Sequence, residues 1–183
     1  MNGYMTKKED AAAVLIDFQD RLAPAVEERA ETEAAIVKAV RGLRILGVPV
    51  IVTQQYTKGL GGTTPVVAEA LGTRDYIEKN TFSCMRTPEF REALAQTGRR
   101  DVILMGIETH ICVQQTALQL LEEGYRVFVL TDCCASRHTA DHETSLIRLR
   151  DAGAVLTTTE SVLYELMQDS GCAGFKEIVK LIK

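Results

Sequence analysis

Short apolar runs alternate along the chain with longer stretches in which apolar positions recur at helical spacing. AAAVLID (11–17), VPVIVTQ (48–54), YIEK (76–79), DVILMGI (101–107), RVFVLTD (126–132) and AVLTTTE (154–160) are predicted strands. Between them EERAETEAAIVKAVRGLRILG, TPEFREALAQTG, CVQQTALQLLEEG and TADHETSLIRLRDAG predict helices, each closing on a glycine suited to a left-handed C-cap. In the second, Thr87 and Pro88 read as N-cap and first helical residue. VILM and VFVL are almost wholly apolar, which suits a sheet covered on both faces, and the helical connections are long enough for right-handed crossovers. The expected fold class is α/β, a three-layer α/β/α sandwich around a mostly parallel six-stranded sheet, with residues 1–183 forming one domain.

Composition narrows the function classes. A net charge of −4 with no block of five like charges offers no broad electrostatic footprint, so nucleic acid is not an expected partner. The N-terminal stretch MNGYMTKKED is followed by an apolar run that Asp17 interrupts, so neither a signal peptide nor a membrane span is expected, and a cytoplasmic location is. Five cysteines without a CxxC pair read as reduced thiols rather than a disulfide framework or a zinc ribbon. The glycine-rich stretch TKGLGGTT (57–64) lacks the order of a phosphate-binding loop and reads as a flexible surface loop.

In open parallel sheets, ligands collect beyond the carboxyl ends of the strands, and three chemically capable residues fall there. Asp17 ends the first strand after six apolar residues, where an ionised carboxylate must find partners or shift its pKa; a turn cap is the plainer reading. Lys79 ends the third strand and, taken singly, reads as a solvated lysine. Cys112 follows DVILMGI through the turn ETHI, near a helix N-terminus whose dipole favours thiolate, although packing is the commonest fate of a cysteine. Cys84, Cys133, Cys134 and Cys172 are assigned to packing. Together the acid, the lysine and the thiol, each at the end of a different strand of one predicted sheet, would converge on one pocket. Asp17 would accept the thiol proton, Lys79 would steady the thiolate, and backbone amides of the turn would receive an oxyanion.

AAAVLIDFQDRL, the KNTFS block and GIETHICVQQTALQLLEEGYRVFVLTDCCASR resemble, in order and spacing, the three motif blocks of the isochorismatase-like cysteine hydrolase superfamily, over about residues 11–160. The resemblance implies a catalytic triad of Asp17, Lys79 and Cys112. It also implies a cis peptide between Ile107 and Glu108, with the amides of Glu108 and Cys112 as an oxyanion hole. Gly106 would let the backbone bend sharply there. TQQYTKGLGGTTP and LRDAGAVLTTTESVLYEL look most like the isochorismatase-domain proteins of poorly defined substrate. An Asp-x-His metal motif present in related nicotinamidases has no counterpart in TQQYTKGLGG, and His110, His138 and His142 lie later in the chain, so no metal site and no cofactor are expected.

The reading is therefore covalent hydrolysis of a small amide or related C–N bond by Cys112. Gln55, Tyr56 and Phe82 are candidate substrate-binding walls, or ordinary loop residues, and His110 reads as a turn residue. The resemblance also implies a homo-oligomer, to which the apolar tail GFKEIVKLIK could contribute. Two alternatives stand beside the hydrolase: a binding or scaffold protein with a relic site, and a thiol redox sensor pairing Cys112 with another cysteine.

Overall fold

The computed structural model describes residues 5–183; residues 1–4, part of the N-terminal stretch read above for a leader, lie outside the described residues. The apolar runs form six strands: β1 (Ala11–Ile16), β2 (Val50–Gln55), β3 (Ile77–Lys79), β4 (Asp101–Ile107), β5 (Arg126–Ala135) and β6 (Val155–Thr157). They join in one sheet of order β3-β2-β1-β4-β5-β6, and every pairing is parallel. The order reverses between β1 and β4, the place in such sheets where a crevice opens beyond the strand ends.

Helices cover both faces. In β1, Ala11, Ala13 and Leu15 face one apolar layer, while Ala12, Val14 and Ile16 face the other. With both sides buried there is no polar face to alternate with, which is why the strand reads as continuous hydrocarbon. The predicted helices are α1 (Arg29–Ile45), α4 (Pro88–Gln96), α5 (Gln114–Glu122) and α6 (Thr139–Asp151). Their closing glycines, Gly47, Gly98, Gly124 and Gly153, all have positive φ, as left-handed C-caps require. Among the described residues four further α-helices are present: α2 (Thr57–Leu60), α3 (Pro65–Leu71), α7 (Thr159–Met167) and α8 (Phe175–Ile182).

Three local expectations need correction. The last strand stops at Thr157 because Thr158 caps α7, its side chain accepting from Ser161 N. Thr87 stands at the N-cap of α4, yet its hydroxyl pairs with Thr81 Oγ1 at 2.9 Å instead of capping a helix amide. The 57–64 stretch is no free loop, because its carbonyls meet donors just after β1: Asp20 N reaches Gly62 O at 2.9 Å and Arg21 N reaches Leu60 O at 3.0 Å. Buried Gln19 adds a 2.6 Å bond from Nε2 to Gly61 O and accepts from Gln55 N at 2.7 Å, so the stretch is tied to the ends of β1 and β2.

Gly106 fixes the approach of β4 to β1. Its φ is 124°, and a Cβ there would lie 2.0 Å from Ile16 O, so any side chain would separate the two central strands.

Candidate active site

Asp17 follows the last residue of β1 with φ 51°, a left-handed conformation that aspartate tolerates better than most residues. Its carboxylate has no solvent exposure. Oδ1 accepts from Thr53 Oγ1 at 2.8 Å, and Oδ2 lies 2.6 Å from Lys79 Nζ. Lys79, at the end of edge strand β3, spans the tip of β2 to reach it. The same ammonium donates to Gln55 Oε1 at 2.7 Å and to the carbonyls of Thr81 and Phe82 at 3.1 Å each. Cys112 Sγ is 3.7 Å away. The structure thus brings the three expected strand-end residues into one cluster.

Burial is the largest single influence on Lys79 and would lower its pKa, but opposing negative charge, chiefly that of the Asp17 carboxylate with its hydrogen bond, together more than offsets it and holds the ammonium above its usual value. The Cys112 thiol is pushed well up, by burial first and then by the Asp17 charge, with Lys79 opposing. This overturns the expectation that a helix N-terminus favours thiolate here. Cys112 lies two residues before α5, in a single π-type turn (Thr109–Val113), and is only 5% exposed, so burial and the neighbouring Asp17 carboxylate disfavour the charged form. The resting pair is a charged lysine beside a neutral thiol.

The turn that carries Cys112 begins at a cis peptide between Ile107 and Glu108. Glu108 O accepts from both Ile111 N at 3.1 Å and Val113 N at 3.2 Å, gathering the backbone under the cysteine. The Glu108 side chain is buried against Arg137 (Oε1–Nη2, 2.7 Å). Burial raises its carboxyl, but hydrogen bonds and charge from Arg137 more than offset this and keep it below its ordinary value.

Of the candidate walls, Gln55 is at the cluster but its amide is committed, to Lys79 through Oε1 and to Asn80 O through Nε2 at 3.0 Å. Tyr56 and Phe82 are half exposed; the Tyr56 ring lies against Gly59, where a Cβ would meet it at 2.2 Å. His110 is held in the turn by Ser136, Nδ1 to Oγ 2.9 Å. A cavity of about 710 Å³ opens elsewhere, between Val52, Gln54, Pro65, Ala68, Leu71 and Tyr76. Because successive strand residues point to opposite faces, the Thr53 side that meets Asp17 is turned away from it.

Sequence reasoning missed Thr53, Arg137 and the environment of Cys84. Thr53 carried a signal, as a hydroxyl near the end of an apolar strand. Arg137 carried none, since its partner is distant in the chain. Cys84 is buried as expected, its thiol pushed up to about 11 by desolvation, but its Sγ also lies 3.9 Å from Thr53 Oγ1, at the edge of the cluster. Among the described residues no group of three or more His, Cys, Asp or Glu side chains is placed to hold a metal, and no helix is long and apolar enough to cross a membrane.

Comparison with known proteins agrees with this architecture. The isochorismatase domain profile matches residues 11–161. Isochorismatase domain-containing protein 1 of Danio rerio is 41% identical over 168 residues; the match covers 91% of this chain but only 59% of that protein's length. A MAR1 ribonuclease structure from Caenorhabditis elegans superposes with a TM-score of 0.91 at 36% identity, over 97% of this chain and 92% of that one. YcaC from Pseudomonas aeruginosa, solved with hexane-2,5-diol and covalent acrylamide, also gives 0.91, at 27% identity over 99% and 93%. With its parallel six-stranded sheet, its matched domain and relatives of this identity, the chain belongs to the isochorismatase family of hydrolase folds.

Proposed function

We propose that the chain is a cysteine hydrolase that cleaves a small amide or related C–N bond through a thioester on Cys112, calling on no metal or organic cofactor. One observation carries the reading: Lys79 Nζ lies 2.6 Å from Asp17 Oδ2 and 3.7 Å from Cys112 Sγ in a cluster closed to solvent. As Sγ bonds to the substrate carbonyl carbon, the thiol proton passes to Asp17 and the carbonyl π pair becomes an oxyanion, received by the amides of Glu108 and Cys112. Collapse breaks the C–N bond, and the leaving amine takes the proton from Asp17. Water then attacks the thioester, giving one proton to Asp17, which returns it to the departing sulfur. Lys79 stays charged throughout and keeps the carboxylate in place. A neutral resting thiol suits this scheme, because it avoids two adjacent anions before substrate arrives.

The narrow exposure of Cys112 favours small acyl groups, with Tyr56 and Phe82 as walls of the entrance and Gln55 as a holder of Lys79. The covalent acrylamide named for the Pseudomonas relative supports a reactive nucleophile in this fold. The test is mass spectrometry after exposure to acrylamide and to p-nitrophenyl acetate. Peptide mapping should place an adduct on Cys112 that is missing from Cys112→Ala, whatever the partly exposed Cys172 takes up; turnover that survives in Cys112→Ala would refute the nucleophile. Asp17→Asn should suppress acylation while leaving the fold.

The name of the nematode relative favours a second reading, phosphodiester cleavage in RNA. The net charge of −4 offers a polyanion little attraction. Cleavage of a mixed-sequence RNA oligonucleotide that disappears in Cys112→Ala would establish that reading over the amidase.

A further inference from the structure

We infer that Arg137 is a positioning residue for the proposed reaction, acting through Glu108 to hold the two backbone amides that receive the oxyanion. The inference rests on the hydrolase reading above and names a part of that machinery lying outside the Asp17–Lys79–Cys112 cluster.

Glu108 occupies a singular place in the turn. Its N–H is one proposed oxyanion donor, and its carbonyl, by accepting from Ile111 N and Val113 N, shapes the backbone that carries the other, Cys112 N. A buried carboxylate in that position needs partners. Arg137 supplies several: Nη2 to Oε1 at 2.7 Å, Nε to Oε2 at 3.0 Å, and its own backbone amide to Oε2 at 2.9 Å. The planar fork fixes the carboxylate in orientation as well as in place, which a point charge on a flexible stem would not do.

The rest of the turn is tied to the same segment. Thr109 Oγ1 meets His142 Nδ1 at 2.9 Å, Ser145 Oγ donates to Thr109 O at 3.1 Å, and His110 Nδ1 meets Ser136 Oγ at 2.9 Å. Residues 136–145, running from the end of β5 into α6, therefore brace three successive turn residues. Arg137 holds the first of them, whose peptide bears the donor. Its own side chain is about half exposed and lies outside the reacting cluster, so replacing it leaves Asp17, Lys79 and Cys112 in contact.

Two thiol reagents separate this role from a merely structural one. Acyl transfer from p-nitrophenyl acetate passes through a tetrahedral oxyanion. Alkylation by iodoacetamide forms the S–C bond at a saturated carbon as iodide leaves and the thiol proton goes to Asp17, and it places no charge on the carbonyl oxygen. Arg137→Lys, which keeps the charge and loses the fork, should slow acylation of Cys112 by about 10–100-fold while alkylation stays within about twofold. Glu108→Gln combined with Arg137→Met should behave alike, and serves if the single variant melts early. Acylation at the unaltered rate in a folded variant, or a parallel fall in both reactions, would overturn the positioning role. If the unaltered protein is alkylated on Cys112 but never acylated, the hydrolase reading itself fails, and this inference with it.

Discussion

Two buried carboxylates, one on each side of the central strand pair, meet cations in different ways. Asp17, at the tip of β1, is sealed together with Lys79: neither side chain has any exposure, and Thr53 closes the remaining oxygen. Glu108, past the tip of β4, is equally hidden, but its partner Arg137 is half in solvent. A fully buried ion pair loses hydration on both ions and is often no more stable than hydrocarbon of the same shape, so its presence points to use rather than to stability. The half-exposed pair retains solvation on the cation and has the character of an anchor. In the proposed reaction the first carboxylate exchanges a proton and the second stays in place as an anchor.

That contrast can be broken by substitution. The largest effect is expected from Lys79→Met, which leaves the Asp17 carboxyl without a counter-charge in a closed site. Urea unfolding should register a loss of about 3–5 kcal/mol, and a loss below 1 would mean that water reaches the carboxylate. Thr53→Val keeps the volume but strands Asp17 Oδ1, for an expected loss of about 1.5–3 kcal/mol, and Thr53→Ser should restore most of it. Arg137→Ala should cost less, about 1–2 kcal/mol, because the exposed guanidinium is screened.

The smallest effect is a pH dependence. The Glu108 carboxyl is held below its ordinary value near 4.5, so its contribution to stability is present above that value and drains away as pH falls through the lowered one. Thermal melts from pH 6 to pH 3 should therefore be flatter for Glu108→Gln than for the unaltered chain. For Cys112, whose thiol is raised, the sign is opposite: its contribution is complete below the ordinary thiol value near 9.0 and is lost as pH climbs beyond it. Cys112→Ala should reduce that alkaline component without abolishing it, because Lys79 and the buried thiols Cys84, Cys133 and Cys134 are raised as well.

Much of the frame was legible because strand and helix periodicities are local. The fully apolar runs announced a sheet covered twice over, and the closing glycines located four helix ends. Asp17, Lys79 and Cys112 stood out for a related reason: each follows a strand, and parallel strands share one carboxyl edge, so chain positions translate into a common neighbourhood. Local patterns mislead where burial decides. A helix start beside Cys112 signals a favoured thiolate but not the desolvation that opposes it, and the glycines of the 57–64 stretch signal flexibility but not the donors of residues 19–21 that hold it.

By itself, then, the order of residues determined the alternation of strands and helices, the two-sided covering of the sheet and the edge at which reactive side chains gather, since all of these follow from spacing along one segment at a time. Only the tertiary structure decided that Thr53 binds Asp17, that Arg137 fixes Glu108 and that the Cys112 thiol rests neutral. Those outcomes depend on distance and on exclusion of water between segments far apart in the chain, and no local pattern encodes either.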